Sequence, residues 1–82
     1  MTYTVNKEPD QGKVKWFSAD KGYGFIIPDR QIGEDVFVHI SAVRRSGLEA
    51  LDKDQRVSFH IKDNKGRPVA VKLTVLPAAQ EA

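Results

Sequence analysis

Gln55-Arg-Val-Ser-Phe-His-Ile-Lys62, then Asp63-Asn-Lys-Gly-Arg67, then Pro68-Val-Ala-Val-Lys-Leu-Thr-Val-Leu76 is the stretch on which the fold turns. The first run alternates, with Val57, Phe59 and Ile61 on one side and Ser58, His60 and Lys62 on the other. Period two is the mark of a half-buried strand. Asn64-Lys65-Gly66 supplies a tight turn, and Val69, Val71, Leu73 and Val75 continue the apolar side on the return. Working back along the chain, Gly12 to Ser18 reads as a first strand, ended by Ala19-Asp20-Lys21-Gly22. Tyr23 to Ile27 is a second, stopped by Pro28-Asp29, and Asp35 to Ile40 a third. Ser41 to Asp54 is a longer connection in which Ser41-Ala42-Val43 has room for one helical turn, with Leu48 and Leu51 tucked down. No stretch holds a 3.6-residue apolar period long enough for a full helix. Five short strands in so small a span predict an all-β, five-stranded antiparallel barrel.

The chain has 82 residues, one small domain's worth, with 40% hydrophobic residues, 29% charged, no cysteine and a net charge of +2. Lack of cysteine excludes a disulfide scaffold, a thiolate metal site and a thiol nucleophile, and fits a reducing compartment. The apolar runs are too short to span a bilayer as a helix. The N-terminus has neither the basic start nor the apolar run of a signal peptide, so a cytoplasmic location is expected. Residues 1–11 and 77–82 read as tails around a domain at 12–76, and Met1 favours a free-standing protein over an excised domain. Charge is uneven: +2 over residues 12–27, −2 over 28–54 and +4 over 55–75. First and last strand regions brought side by side would make a basic face on a protein that is not strongly basic.

The informative feature is a surplus of apolar faces. A barrel has one interior, and Val14, Ile26, Val36 and Val38 are the natural partners there of Val57, Phe59, Ile61, Val71 and Leu73. Tyr23, Phe25, Phe37 and His39 are then left pointing out, where clustered rings need a reason. An aromatic residue on a strand is more often core than binding surface. Against that stand the segregation of rings from aliphatics on adjacent strands and the glycines and lysines between them. Flat rings stack on bases, Lys13, Lys15 and Lys21 at the rim neutralise phosphates, and Gly22 and Gly24 keep the surface open. Trp16 is undecided by periodicity. Strict alternation turns it inward with Val14 and sends Lys15 and Phe17 out, and only a bulge would bring it to the surface.

Lys13-Val-Lys-Trp-Phe17, Lys21-Gly-Tyr-Gly-Phe-Ile26 and Asp35-Val-Phe-Val-His39, in that order and spacing, closely resemble the bacterial cold-shock proteins. Leu51-Asp-x-x-Gln-x-Val-x-Phe59 and Lys65-Gly-x-Pro68 fit as well, so the likeness runs from about Gly12 to Val75. It implies an OB-type barrel that binds single-stranded RNA and DNA, pyrimidine-rich strands foremost, as an RNA chaperone or regulator of transcription and translation. It also implies a monomer that uses no cofactor, metal or small-molecule substrate. By the same resemblance Lys15, Trp16, Phe17, Lys21, Tyr23, Phe25, Phe37 and His39 match binding positions, which would turn Trp16 outward. Asp35 matches a rim position able to bond a base edge. With Lys13, Ile40, Lys65 and Arg67 these make up the expected nucleic-acid surface. Three departures stand out. Ile40 and Leu48 occupy places where the family carries further aromatics, and Ala70-Val-Lys-Leu73 replaces Ala-x-Asn-Val. Weaker stacking with a larger electrostatic share is the expected result, with Arg44, Arg45, Arg67 and Lys72 adding charge nearby.

Rival readings fit less well. An RNA-recognition motif shares the Gly-aromatic-Gly-aromatic pattern but needs two packed helices and the opposite motif order. A protein-interaction module with an aromatic hot spot would not need the interleaved lysines. For an enzyme, His39 and His60 are the only histidines, and no triad order or metal-ligand spacing stands out. A nuclease built on Asp35 and His39 stays open at this point, although their i, i+4 spacing on a strand separates them by roughly 13 Å. Glu34-Asp35 and Asp52-Lys-Asp54 read as solvated faces. His60, Lys62 and Arg56 lie on the outward side of strand four, and the sequence leaves open whether that side adjoins the rings.

Overall fold

In the computed structural model, which describes residues 9–30 and 32–76, five strands close on themselves. They are β1 (Asp10–Ser18), β2 (Tyr23–Pro28), β3 (Val36–His39), β4 (Arg56–Asn64) and β5 (Arg67–Val75), with a six-residue helix α1 (Ile40–Arg45) between β3 and β4. Their order around the barrel is β1-β2-β3-β5-β4, with β4 returning to β1. Each strand lies within a residue or two of its expected place. One correction concerns direction: the barrel is mixed, not antiparallel throughout, because β3 and β5 run parallel and pair at Phe37 and Val69. The reason is topological. Five is odd, so strand directions cannot alternate all the way round a closed ring, and at least one seam must be parallel.

Val14, Ile26, Val36, Val38, Val43, Leu51, Val57, Phe59, Ile61, Ala70 and Leu73 form the buried core. This includes every expected core residue except Val71, which is only half-buried. The cause is a bulge. Ser58 pairs with Thr74 and His60 with Val71, so the lone Phe59 faces two residues, Lys72 and Leu73. Lys72 adopts the left-handed conformation with φ 54°, and the extra residue shifts the alternation by one. Pro68 and Ala70 therefore point inward before the bulge and Leu73 after it.

The start of β1 also differs from expectation. Asp10 and Gln11, read from sequence as tail, are paired with Phe59 and Ser58 of β4. Asp10 is buried, and Arg30 grips both its carboxylate oxygens at 2.8 and 3.0 Å. A buried carboxylate needs such a partner, and a two-pronged guanidinium is the best available. Gly12 follows because a Cβ there would come within 2.5 Å of the Ile27 carbonyl oxygen.

The helix begins at His39, whose backbone is extended and whose Nδ1 accepts the Ser41 amide at 3.0 Å. It ends in a Schellman turn. Gly47, at φ 85°, donates to the Arg44 carbonyl and Leu48 to that of Val43, which satisfies the last free carbonyls. This geometry draws Leu48 against the core and leaves Leu51 buried, as expected for both.

Candidate nucleic-acid interface

Lys15 is the hinge of the site. β1 and β2 pair in register from Gly12 to Val14, and after a shift between Val14 and Trp16 they pair again as Trp16–Phe25 and Phe17–Gly24. Lys15 is the unpaired residue. The bulge changes the side on which every later residue of β1 emerges, and so turns Trp16 out beside Phe25. Trp16 then stands 5.6 Å from Tyr23 and 5.5 Å from Phe25 between ring centroids.

Phe17 moves the opposite way. It packs against the core and shares in none of the ring contacts found among the outward aromatics. Gly24 makes room for it, since a Cβ at Gly24 would overlap the Trp16 carbonyl oxygen and lie 2.8 Å from the Phe17 ring. That glycine serves strand-to-strand approach as well as an open surface.

Across the sheet Tyr23 pairs with His39 and Phe25 with Phe37. Tyr23 and Phe37 are stacked at 5.7 Å with their planes 26° apart, Phe25 meets Phe37 edge-on at 5.7 Å, and His39 lies 6.5 Å from Phe37. Trp16, Tyr23, Phe25 and Phe37 are half-buried and His39 is exposed, so the cluster presents rings to solvent while neighbouring rings brace one another. Such edge and offset contacts are worth about 0.5–1.5 kcal/mol per pair beyond burial. Ile27 extends the β2 side of this face and is 42% exposed. It lies where alternation along β2 puts it, on the side of Tyr23 and Phe25.

Charge frames the rings. Lys15 reaches over β2 to Asp35 at 3.1 Å, and Lys13 lies 4.0 Å from Asp54. Lys21 is exposed in the β1–β2 turn. Lys65 sits in the β4–β5 turn with φ 57°. Arg67 is exposed on β5 two residues before Val69, on the Asp35 side of the parallel seam. Ile40 opens α1 and is half-buried, its amide bonded to the Gly22 carbonyl at 2.9 Å. Trp16, Tyr23, Phe25, Phe37 and His39 therefore form one patch with Lys13, Lys15, Lys21, Asp35 and Ile40 around it. Phe17 lies beneath the patch, and Lys65 and Arg67 lie beyond β3.

Among the described residues no three His, Asp or Glu side chains gather as a metal site, and no helix is long and apolar enough to cross a membrane. Residues 10–76 match the family model described as the "Cold-shock" DNA-binding domain. Over 66 residues the chain is 46% identical to the major cold shock protein of Streptococcus pyogenes serotype M6, covering 80% of this chain and 96% of that relative. It is 47% identical over 66 residues to the cold shock-like protein CspC of Bacillus cereus, covering 80% and 98%. A third relative, cold shock protein CspC of Bacillus subtilis, is 53% identical over 53 residues, 65% of this chain and 77% of its own length.

Proposed function

The chain belongs to the cold-shock DNA-binding domain family, and from that premise we propose that it binds single-stranded RNA and DNA as an RNA chaperone or regulator of transcription and translation. The carrying observation is the outward patch of Trp16, Tyr23, Phe25, Phe37 and His39, with centroids 5.5–6.5 Å apart. Every base has a π-face, so rings at this spacing hold successive bases with little regard to sequence, each stack contributing about 1–3 kcal/mol. Lys13, Lys15 and Lys21 meet phosphates at the rim. The Lys15–Asp35 pair is exposed, so exchanging Asp35 for a phosphate costs little, and it frees the Asp35 carboxylate for the amino edge of a base.

Leu48 is aliphatic and packs against the core, and Ile40 is aliphatic too, which leaves a smaller ring surface and a larger share for charge. A preference for pyrimidine-rich strands, a monomeric state and a cytoplasmic location complete the reading. Binding, not catalysis, is its content: His39 spends Nδ1 on capping α1, and Asp35 is paired with Lys15.

Trp16 is the only tryptophan, so its fluorescence reports the patch. Titration with a short oligothymidine should quench it saturably, and more weakly as salt rises. Phe37→Ala should then cost about 1–3 kcal/mol that salt does not account for. No quenching and no binding at low salt would remove the reading.

A further inference from the structure

The register joins five outward side chains in one row around the barrel. Trp16 pairs with Phe25, Phe25 with Phe37, Phe37 with Val69 and Val69 with Lys62. Neighbouring strands lie about 4.8 Å apart, so Lys62 stands roughly 10 Å beyond Phe37, past the parallel seam. The outward side of β4 thus adjoins the ring patch through Val69, an apolar step at the same level.

Beside Lys62 is a cleft of about 370 Å³ between α1 and β5, lined by Ala42, Arg45, Ser46, Lys62, Val71 and Lys72. Three of the six are cations and none is an acid. Among the described residues, the ion pairs use Lys13, Lys15, Arg30 and Arg56, and none of these three. Asp63, next in sequence to Lys62, accepts the Gly66 amide at 3.0 Å in the hairpin turn. The Ser46 hydroxyl is taken up by Ala42 and Leu73, so it shapes the wall and leaves the charge to its neighbours. Three like charges around one cleft give it a positive potential that draws an anion. Lys72 carries a backbone cost of its own, because it holds the left-handed conformation at the cleft, φ 54°. Strain of this kind persists where the surroundings over-determine it, and it clusters at binding sites.

We propose that this cleft holds phosphodiester groups of the same single strand that stacks on the rings, after the strand crosses Phe37 and Val69. The inference rests on the single-strand reading above and adds to it a second, purely electrostatic segment on the β4–β5–α1 face. Arg45 and Lys62 would flank the phosphates, with Lys72 at the bulge and Val71 and Ala42 as an apolar floor.

The test compares oligothymidines of about four and about nine nucleotides, within the span known for barrels of this kind, using Trp16 quenching over a salt series. The variant is Arg45→Gln with Lys62→Gln, both exposed positions outside the ring patch. On the longer strand the variant should lose roughly tenfold in affinity, and its log–log salt slope should fall by about 0.7 per lost phosphate contact. The shorter strand should bind both proteins alike, and Arg45→Lys should retain most of the long-strand affinity. Equal losses on both lengths, no loss on the longer strand, or a loss without a change in salt slope would each overturn the proposal. Occupation of the cleft by oligoglutamate but not by the longer strand, read from the Lys62 amide by NMR, would assign it to an acidic protein segment instead. Failure of the parent protein to bind either length would strike the single-strand reading itself and this extension with it. Normal binding of the short strand with no length dependence would strike the extension alone.

Discussion

The hydroxyl of Ser46 accepts the backbone amide of Leu73 at 2.8 Å while donating to the Ala42 carbonyl at 2.9 Å. The bulge in β5 takes Leu73 out of the regular ladder with β4, and the side chain that caps the end of the short helix supplies the acceptor that the strand cannot. Local turn chemistry in α1 and register in β5 are thus one device. Ser46→Ala leaves a shielded amide without a partner, and a lost buried hydrogen bond of this type costs about 1–3 kcal/mol. Urea denaturation followed by Trp16 fluorescence should show the lower midpoint, with short-strand affinity of the folded protein unchanged.

Lys72 completes the same bulge at φ 54°. A long L side chain there crowds the following carbonyl, whereas asparagine tolerates the conformation by bonding locally. Lys72→Asn should therefore raise stability by about 0.5–1 kcal/mol, measured as an upward shift in melting temperature. If Lys72 serves the basic cleft, affinity for the longer oligothymidine should fall in the same variant. Stability and binding moving in opposite directions would mark the backbone strain as the cost of placing a charge.

The two bulges also show where reading the sequence succeeds and where it stops. Alternation in Val57-Ser-Phe-His-Ile61 is uninterrupted, and those residues lie as the pattern requires. Alternation in Lys13-Val-Lys-Trp-Phe17 and Ala70-Val-Lys-Leu73 is broken by one residue each, and no local propensity announces it: Lys15 and Lys72 are ordinary strand-surface residues by type. A one-residue slip exchanges the two faces of a strand, so Trp16 and Phe17 trade places and Ala70 displaces Val71 from the core. Resemblance to a family anticipated Trp16 facing out, but not Phe17 turning in. The row from Trp16 to Lys62 was beyond periodicity altogether, because it depends on which strands become neighbours after a long connection. The burial of Asp10 was hidden for a similar reason, since its partner Arg30 is 20 residues away.

Asp29 and Arg56 tie the end of β2 to β4 through two contacts, 2.9 and 2.6 Å. Hydrogen bonding by the guanidinium holds the Asp29 carboxyl below its ordinary value of 3.8, against a smaller opposing effect of burial. A carboxyl with a lowered folded-state value binds its proton more readily when unfolded. Its stabilisation is therefore complete above the unfolded value and is lost as pH falls through the folded one. Asp29 is 54% exposed, so solvent screens the pair and its contribution is at most about 1 kcal/mol. Asp29→Asn should lower stability by that small amount at neutral pH, and the two proteins should converge in acid below the carboxylate range. Denaturation at pH 7 in about 1 M salt should also shrink the difference, since the screening length there is about 3 Å.

Ile40 is the position at which more ring surface is easiest to supply. It follows His39, whose partner across the sheet is Tyr23, and its Cγ2 lies 3.6 Å from where a Cβ on Gly22 would stand. It therefore borders the Tyr23–His39 end of the patch, whereas the Schellman turn packs the half-buried Leu48 against the core. Ile40→Phe adds a flat face beside the existing rings and changes helix propensity little. One further base stack should tighten oligothymidine binding by about 1 kcal/mol, close to fivefold, with no change in the salt slope because no charge is added. Trp16 titrations of both proteins across a salt series measure the two quantities together. A gain that appears only at low salt would point to altered phosphate contacts. Unchanged affinity at every salt would show that bases leave the patch before reaching the start of α1.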